Sequence, residues 1–307
     1  MNIPTARNQF LFNCPAQEVE VWVKRLDELH PMALGNKLFK LKYNFQRAHK
    51  LGFSTLITFG GAYSNHIVAT AVLGKAMGFR SIGVIRGEEL GKDLQKTLAE
   101  NPTLRQAHAY GMRFHFVSRS AYKEKNETAF QQRLQTIFGP AFILPEGGTN
   151  LWAVKGCSEI LTEEDRRFDL ICCAVGTGGT LSGLVNAASE KQSVWGFSAL
   201  RADLTKEVMP YVKSCNWKIF TEDNFGGFAK INVELVGFIN RFAQIHHLPL
   251  DPVYNAKMMY GLLKKIKAGE VRRGSRILVI HSGGLQGIKG MNAKLTRKNM
   301  PVIELYK

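Results

Sequence analysis

Gly176-Thr177-Gly178-Gly179-Thr180-Leu181-Ser182-Gly183 follows the apolar run DLICCAV and opens a helical pattern. Backbone N–H groups of such a turn, with a helix N-terminus behind them, attract a phosphate. No Gly-Lys-Ser/Thr follows, so the turn is not a P-loop. Position 181 is Leu and no acidic residue stands about 20 positions on, so a dinucleotide fingerprint is excluded as well. A second segment, Gly35-Asn36-Lys37-Leu38-Phe39-Lys40, sets a lysine between a Gly-Asn turn and an apolar residue. A partly buried lysine sheds its proton more readily and can form a Schiff base with a carbonyl. Lys40, three residues on, has a helical spacing that brings a second cation toward a phosphate.

Three further turns have the same character. GGAYSNH (60–66) joins a strand pattern to a helix pattern. Ser64 fits an N-cap, and its hydroxyl with exposed amides also suits a carboxylate. DPVYNAK (251–257) reads as a loop entering a helix, with Pro252 fixing the turn. HSGG (281–284) ends the run RILVIH, where His281 is compatible with a satisfied core histidine.

The elements that must hold these turns alternate along the chain. Strands are expected at 54–59, 81–85, 114–117, 142–144, 169–175, 193–199 and 276–281, with a helix at 64–77. A break is expected at Gly60-Gly61, and a solvated helix at 121–136. Short, nearly continuous apolar strands separated by helices are the pattern of a parallel sheet covered on both faces, hence α/β. Ligands of open α/β sheets sit beside the carboxyl ends of the strands, which is where these turns lie.

Composition sets the outer bounds. The chain has 307 residues, 45% hydrophobic and 10% aromatic, which excludes a disordered or collagen-like chain. Its 41 Lys and Arg against 25 Asp and Glu give a formal charge of +16. That charge suits an anionic ligand, and motivates one reading of another class: a non-enzymatic polyanion- or nucleic-acid-binding protein. The basic residues are scattered, with no Lys/Arg block interleaved with aromatics, so neither nucleic acid nor membrane is expected as a partner. Five cysteines without metal spacing point to a reducing compartment, with Cys172 and Cys173 as core thiols. No metal is expected. With no charged segment followed by an apolar one at the N-terminus, a soluble cytoplasmic protein is the expectation.

In order, GNKLFKL, GGAYSNH, EGGTN, GTGGTLSG, DPVYNAK and HSGG resemble pyridoxal-phosphate enzymes of the tryptophan-synthase-β type (fold type II). More narrowly, the chain resembles the family of D-cysteine desulfhydrases and 1-aminocyclopropane-1-carboxylate deaminases. The motifs run from residue 35 to 284, nearly the whole chain. The resemblance implies two three-layer α/β/α domains with mainly parallel sheets: a large pyridoxal-phosphate-binding domain of residues 1–44 and 149–307, and a small domain of 45–148. It also implies a homodimer.

The same resemblance implies roles. Lys37 carries the cofactor and moves the α-proton. Lys40 and the turn Gly176, Thr177, Gly178, Gly179 and Thr180 bind its phosphate. Asn65 meets the ring hydroxyl oxygen, and Ser64 receives the substrate carboxylate beside Asn65 and His66. Tyr254 and Phe228 stand on the substrate side. Ser282, with Asn255, faces the pyridine nitrogen. A hydroxyl or amide there leaves the nitrogen unprotonated and the ring a weaker electron sink, which suits prompt loss of a β-substituent. The deaminase branch resembles a pattern with Glu at 255 and Leu at 282, and both branches with a tyrosine at 228. Asn255, Ser282 and the string Ser64-Asn65-His66 therefore favour D-cysteine desulfhydrase-like β-elimination, giving a 2-oxo acid, ammonia and sulfide. Phe228 departs from both branches, counts further against ring opening and implies a more apolar pocket. The deaminase reaction is the alternative, and racemisation or another lyase reaction on the same cofactor is a third.

Overall fold

Runs of β-branched and aliphatic residues too short for a helix set the strands. The computed structural model describes residues 1–32 and 34–304. The strands are β1 (Asn8–Cys14), β2 (Val19–Arg25), β3 (Thr55–Gly61), β4 (Arg80–Arg86), β5 (Arg113–Val117), β6 (Phe142–Leu144), β7 (Leu170–Val175), β8 (Ser193–Ser198), β9 (Trp217–Phe220) and β10 (Arg276–His281). The early helices are α1 (Lys37–Lys50), α2 (Asn65–Ala76), α3 (Leu94–Glu100), α4 (Pro102–Ala109), α5 (Thr128–Phe138) and α6 (Leu151–Cys157). The later ones are α7 (Gly179–Ala187), α8 (Thr205–Val208), α9 (Val233–His246), α10 (Asn255–Lys267) and α11 (Gly287–Thr296).

The chain divides into two compact units, Met1–Phe39 with Val154–Lys307, and Lys40–Ala153. The first holds a six-stranded sheet in the order β1-β2-β10-β7-β8-β9. Only β1 runs antiparallel, against β2; the other pairings are parallel. Strands β10 and β7 are central neighbours, in register with Val279 opposite Cys172. Their carboxyl ends therefore place Ser282 and Gly176 at one edge of the sheet. The core packs Val19, Val21, Val23, Cys172, Val279, Met259 and Leu262 with residues of α9 and α11.

The second unit holds a parallel four-stranded sheet in the order β5-β4-β3-β6. Strands β3 and β6 are neighbours, so the turns after Gly61 and Leu144 leave the same edge. Ile57, Phe59, Ile82, Val84, Phe130 and Leu134 pack one face of this sheet, and Ile67, Ala71, Ile85, Leu104 and Met112 form a second cluster.

The α/β expectation is borne out, and most strand positions agree within two residues. Three strands were not anticipated. In β2 (VEVWVKR) charge interrupts the apolar run, yet Lys24 is 1% exposed because it pairs with Asp165 at 3.0 Å. β1 and β9 are edge strands with half-buried, mixed sequences. Residues 121–136 are not one solvated helix. A 3-10 turn covers Ala121–Asn126, extended Glu127 interrupts it, and α5 follows. Tyr122, Phe130 and Leu134 face the core from that stretch. Nor do Gly60 and Gly61 break β3, which runs through both. No helix among the described residues is long and apolar enough to cross a membrane.

Candidate active site

In the first unit the site is built around the end of β10. Gly35 takes φ +54° and its Cα lies against the Ser282 backbone. Asn36 N–H donates to Ser282 O at 3.3 Å, which closes the turn that starts α1. Half-buried Lys37 donates from Nζ to Asn36 Oδ1 at 2.8 Å. Buried Asn36 in turn donates from Nδ2 to Thr180 Oγ1 at 2.8 Å, so the amide's orientation is fixed by the Gly-rich turn. The amine of Lys37 is thus tied, through one side chain, to the turn after β7.

That turn has the features of an anion cradle. Gly178 is the N-cap of α7 at φ +79°, and no side chain caps the helix. A Cβ on Gly178 would meet Val208 at 2.8 Å, so both conformation and space require glycine. Thr180 is buried and opens α7. Tyr254, at the N-cap of α10, lies against Gly176: a Cβ there would stand 3.0 Å from its ring and 3.3 Å from its hydroxyl. Phe228 meets Tyr254 edge to face at 6.1 Å between centroids and is 45% exposed.

In this unit Asn255 is placed otherwise than expected. It is fully buried, and Nδ2 donates to Asp251 Oδ1 (2.6 Å) and Gly283 O (2.9 Å). Its Oδ1 accepts from Ser282 N–H (3.0 Å) and Ser282 Oγ (3.2 Å). Its amide is committed to protein, so Asn255 stands behind Ser282 as its support. Buried Asp251 anchors the chain of bonds, accepting from the backbone N–H groups of Val253, Tyr254 and Asn255 at 2.8–3.0 Å. Burial pushes its carboxyl up, against the pull of those bonds. His281 is a core histidine: buried, with Nε2 at 2.9 Å from Pro249 O and Nδ1 at 3.2 Å from Asp27.

The second unit carries the other expected residues. Ser64 is the N-cap of α2, yet its side chain makes no capping bond. Its position is that of the expected N-cap, and its hydroxyl is not consumed by the helix. Asn65 begins α2 and is half-buried. His66 is placed differently from the expectation of a substrate contact. It is 2% exposed, its Nε2 is 2.8 Å from Thr58 Oγ1, and its ring packs on Gly148. The α2 turn directs it inward to brace the EGGTN segment. Lys40 is buried and donates to Gly147 O (3.0 Å) and Thr149 Oγ1 (2.9 Å) of that same segment.

Sequence reasoning missed Asn36, Thr149 and Asp251 as site-building residues. All three stand inside the motifs GNKLFKL, EGGTN and DPVYNAK, but their partners lie far off in the chain or on the backbone. Among the described residues no group of His, Cys, Asp and Glu could hold a metal.

The donor set fits a phosphorylated carbonyl cofactor: an uncapped Gly-rich helix start, a half-buried lysine amine and a supported serine hydroxyl. The family model described as pyridoxal-phosphate dependent enzyme matches residues 7–283. The chain belongs to that family. Among curated proteins, this pyridoxal-phosphate enzyme is 30% identical over 294 residues to a putative 1-aminocyclopropane-1-carboxylate deaminase of Pyrococcus abyssi, covering 88% of this chain and 86% of the relative. It is 27% identical over 303 residues to D-cysteine desulfhydrase of Serratia proteamaculans, covering 86% of each. A bifunctional D-cysteine desulfhydrase/1-aminocyclopropane-1-carboxylate deaminase of Arabidopsis thaliana is 28% identical, covering 88% of this chain and 73% of the relative. The crystal structure of a 1-aminocyclopropane-1-carboxylate deaminase homologue superposes with a TM-score of 0.79 at 29% identity, covering 96% and 94% of the two chains.

Proposed function

We propose that this enzyme is a lyase acting on a small amino acid by β-elimination, with D-cysteine as the substrate to try first. The observation that carries the reading is the support of Ser282. Its Oγ is held by Asn255, and Asn255 by Asp251, whose carboxylate is spent on three backbone N–H groups and one amide. In this reading the Ser282 hydroxyl turns its proton from Asn255 Oδ1 to the ring nitrogen, at the position where a carboxylate would instead hold a proton on that nitrogen. When bound, pyridoxal phosphate supplies the electron sink, and an unprotonated ring is a weaker one that favours quick loss of a β-substituent.

The chain's own residues supply binding and proton movement. The N–H groups at the start of α7, with the hydroxyl of Thr177, bind the phosphate, and Lys40 adds positive charge. Lys37 anchors the cofactor and takes the α-proton with its amine. Ser64 receives the substrate carboxylate, and Asn65 orients the ring. Tyr254 closes the substrate side next to Gly176. Residues 1–39 with 154–307 form the cofactor-binding unit in this reading, the protein is cytoplasmic, and two copies associate.

The test is product analysis of the cofactor-loaded enzyme. D-cysteine is expected to yield sulfide, ammonia and a 2-oxo acid in equal amounts. The deaminase alternative, carried by the relatives and the solved homologue of that name, predicts 2-oxobutanoate and ammonia from 1-aminocyclopropane-1-carboxylate instead. Ring opening without any sulfide from D-cysteine would replace the first reading by the second.

Phe228 gives a second prediction. An apolar ring against Tyr254 offers no hydrogen bond to a polar substrate end. Phe228→Tyr is expected to raise kcat/KM for small D-amino acids about tenfold, the worth of one added hydrogen bond. Unchanged steady-state kinetics would show that the ring does not meet the substrate.

A further inference from the structure

Lys257, the last residue of the DPVYNAK motif, has no part in the chemistry above, yet it is among the most buried large side chains, 2% exposed. Its Nζ donates to two main-chain carbonyls, Asn224 O at 2.8 Å and Gly227 O at 2.7 Å. Both belong to the turn that carries Phe228. That turn is strained: Phe225 and Ala229 take φ of +52° and +54°, flanking two left-handed glycines. Non-glycine residues persist there only where their surroundings hold them.

The holding groups form one stripe of α10. Tyr254, Lys257, Gly261 and Lys264 follow at spacings of three and four, hence on one helix face. Tyr254 meets Phe228, and Lys264 pairs with Asp223 at 2.6 Å. Phe225 lies edge to face on Tyr260 of the same helix at 4.9 Å. From α11, Lys294 donates to Ala229 O at 3.1 Å. Lys257 is the buried centre of this seat.

We propose that Lys257 is a positioning residue: it seats the 221–231 segment on α10 and thereby fixes where Phe228 stands over Tyr254, setting which amino acids fit. This rests on the reading of Tyr254 and Phe228 as the substrate side. The seat has a definite pH sign. Burial pushes the Lys257 amine down to about 8; Asp251 opposes that fall, and Lys294 reinforces it. Lys298 and Lys230 face Lys294 in turn, while the Asp223–Lys264 pair stands at the segment's start. Unseating returns the amine to water and toward its ordinary value. Between the two values the seated form binds fewer protons, so seating strengthens as pH rises through about 8.

The experiment is hydrogen exchange of the cofactor-loaded enzyme, with steady-state kinetics alongside. Lys257→Met is expected to lower protection of 221–231 at least tenfold while β7 and β10 stay protected. KM for the substrate should rise at least tenfold with kcat within about threefold, and the rise should vanish in a Phe228→Ala background. In wild type the segment's protection should increase from pH 7.5 to 9.5; in Lys257→Arg, which stays charged, it should not. If Lys257→Met fails to fold, Lys294→Met tests the same seat at Ala229 and should shift KM in the same direction. Unchanged protection, or a KM rise that persists without Phe228, overturns the proposal. Exchange is read whichever amino acid proves to be the substrate, so a failed substrate reading is distinguishable from a failed seat.

Discussion

Lys37→Ala is expected to leave a folded protein whose turnover falls at least about a thousandfold, the scale of losing both a covalent anchor and a proton carrier. The geometry gives the reason. The lysine amine is oriented by Asn36 Oδ1 at 2.8 Å, and Asn36 is itself fixed by Thr180 at the start of α7. One short chain of hydrogen bonds therefore sets the distance from the amine to the anion cradle. Removing Asn36 alone, as Asn36→Ala, should cost about tenfold to a hundredfold, since the amine survives but loses its orientation. The check is borohydride reduction of the loaded enzyme followed by peptide mapping. The label should sit on Lys37 in wild type and be absent from Lys37→Ala, with the melting temperature within a few degrees. A Lys37→Ala protein that keeps its visible absorbance, its label and its turnover would remove Lys37 from the reaction.

What the sequence displayed was local, and what it concealed was long-range. β6 and β10 are legible to the residue because each is a continuous apolar run ended by a turn. β2 was hidden because Lys24 reads as a surface residue until Asp165, on another segment, neutralises it. The candidate turns were visible for the same local reason: each follows a strand and starts a helix. Direction was not visible. Asn255 and His66 sit in the right motifs, yet each is the residue of its helix turn that faces inward, and spacing alone did not separate them from Ser282 and Asn65. Asn36 is not legible as a site residue because its partner Thr180 lies 144 residues along the chain and comes near only when β7 and β10 become neighbours.

Gly35→Ala should destabilise the protein by about 2–5 kcal/mol and abolish tight cofactor binding, although residue 35 has no side chain to offer. Two costs add. A left-handed backbone costs an L-residue about 1–2 kcal/mol, and Gly35 has φ +54°. The larger cost is spatial: a Cβ would stand 2.0 Å from Ser282 O and 2.7 Å from Gly283 N, both rigid main chain at the end of β10. No side-chain rotation relieves that overlap, so either the 35–37 turn or the Ser282 segment must move. Both outcomes separate Lys37 from the serine hydroxyl and from the turn at 176–180. Gly269→Ala is the control, since Gly269 has φ +74° in the same unit with nothing within 4 Å of an added Cβ. It should cost only the backbone term, about 1–2 kcal/mol, and leave cofactor affinity unchanged. Chemical denaturation gives the first quantity and titration with pyridoxal phosphate the second. Equal losses in the two variants would mean that the contact between Gly35 and Ser282 does not set the site's geometry.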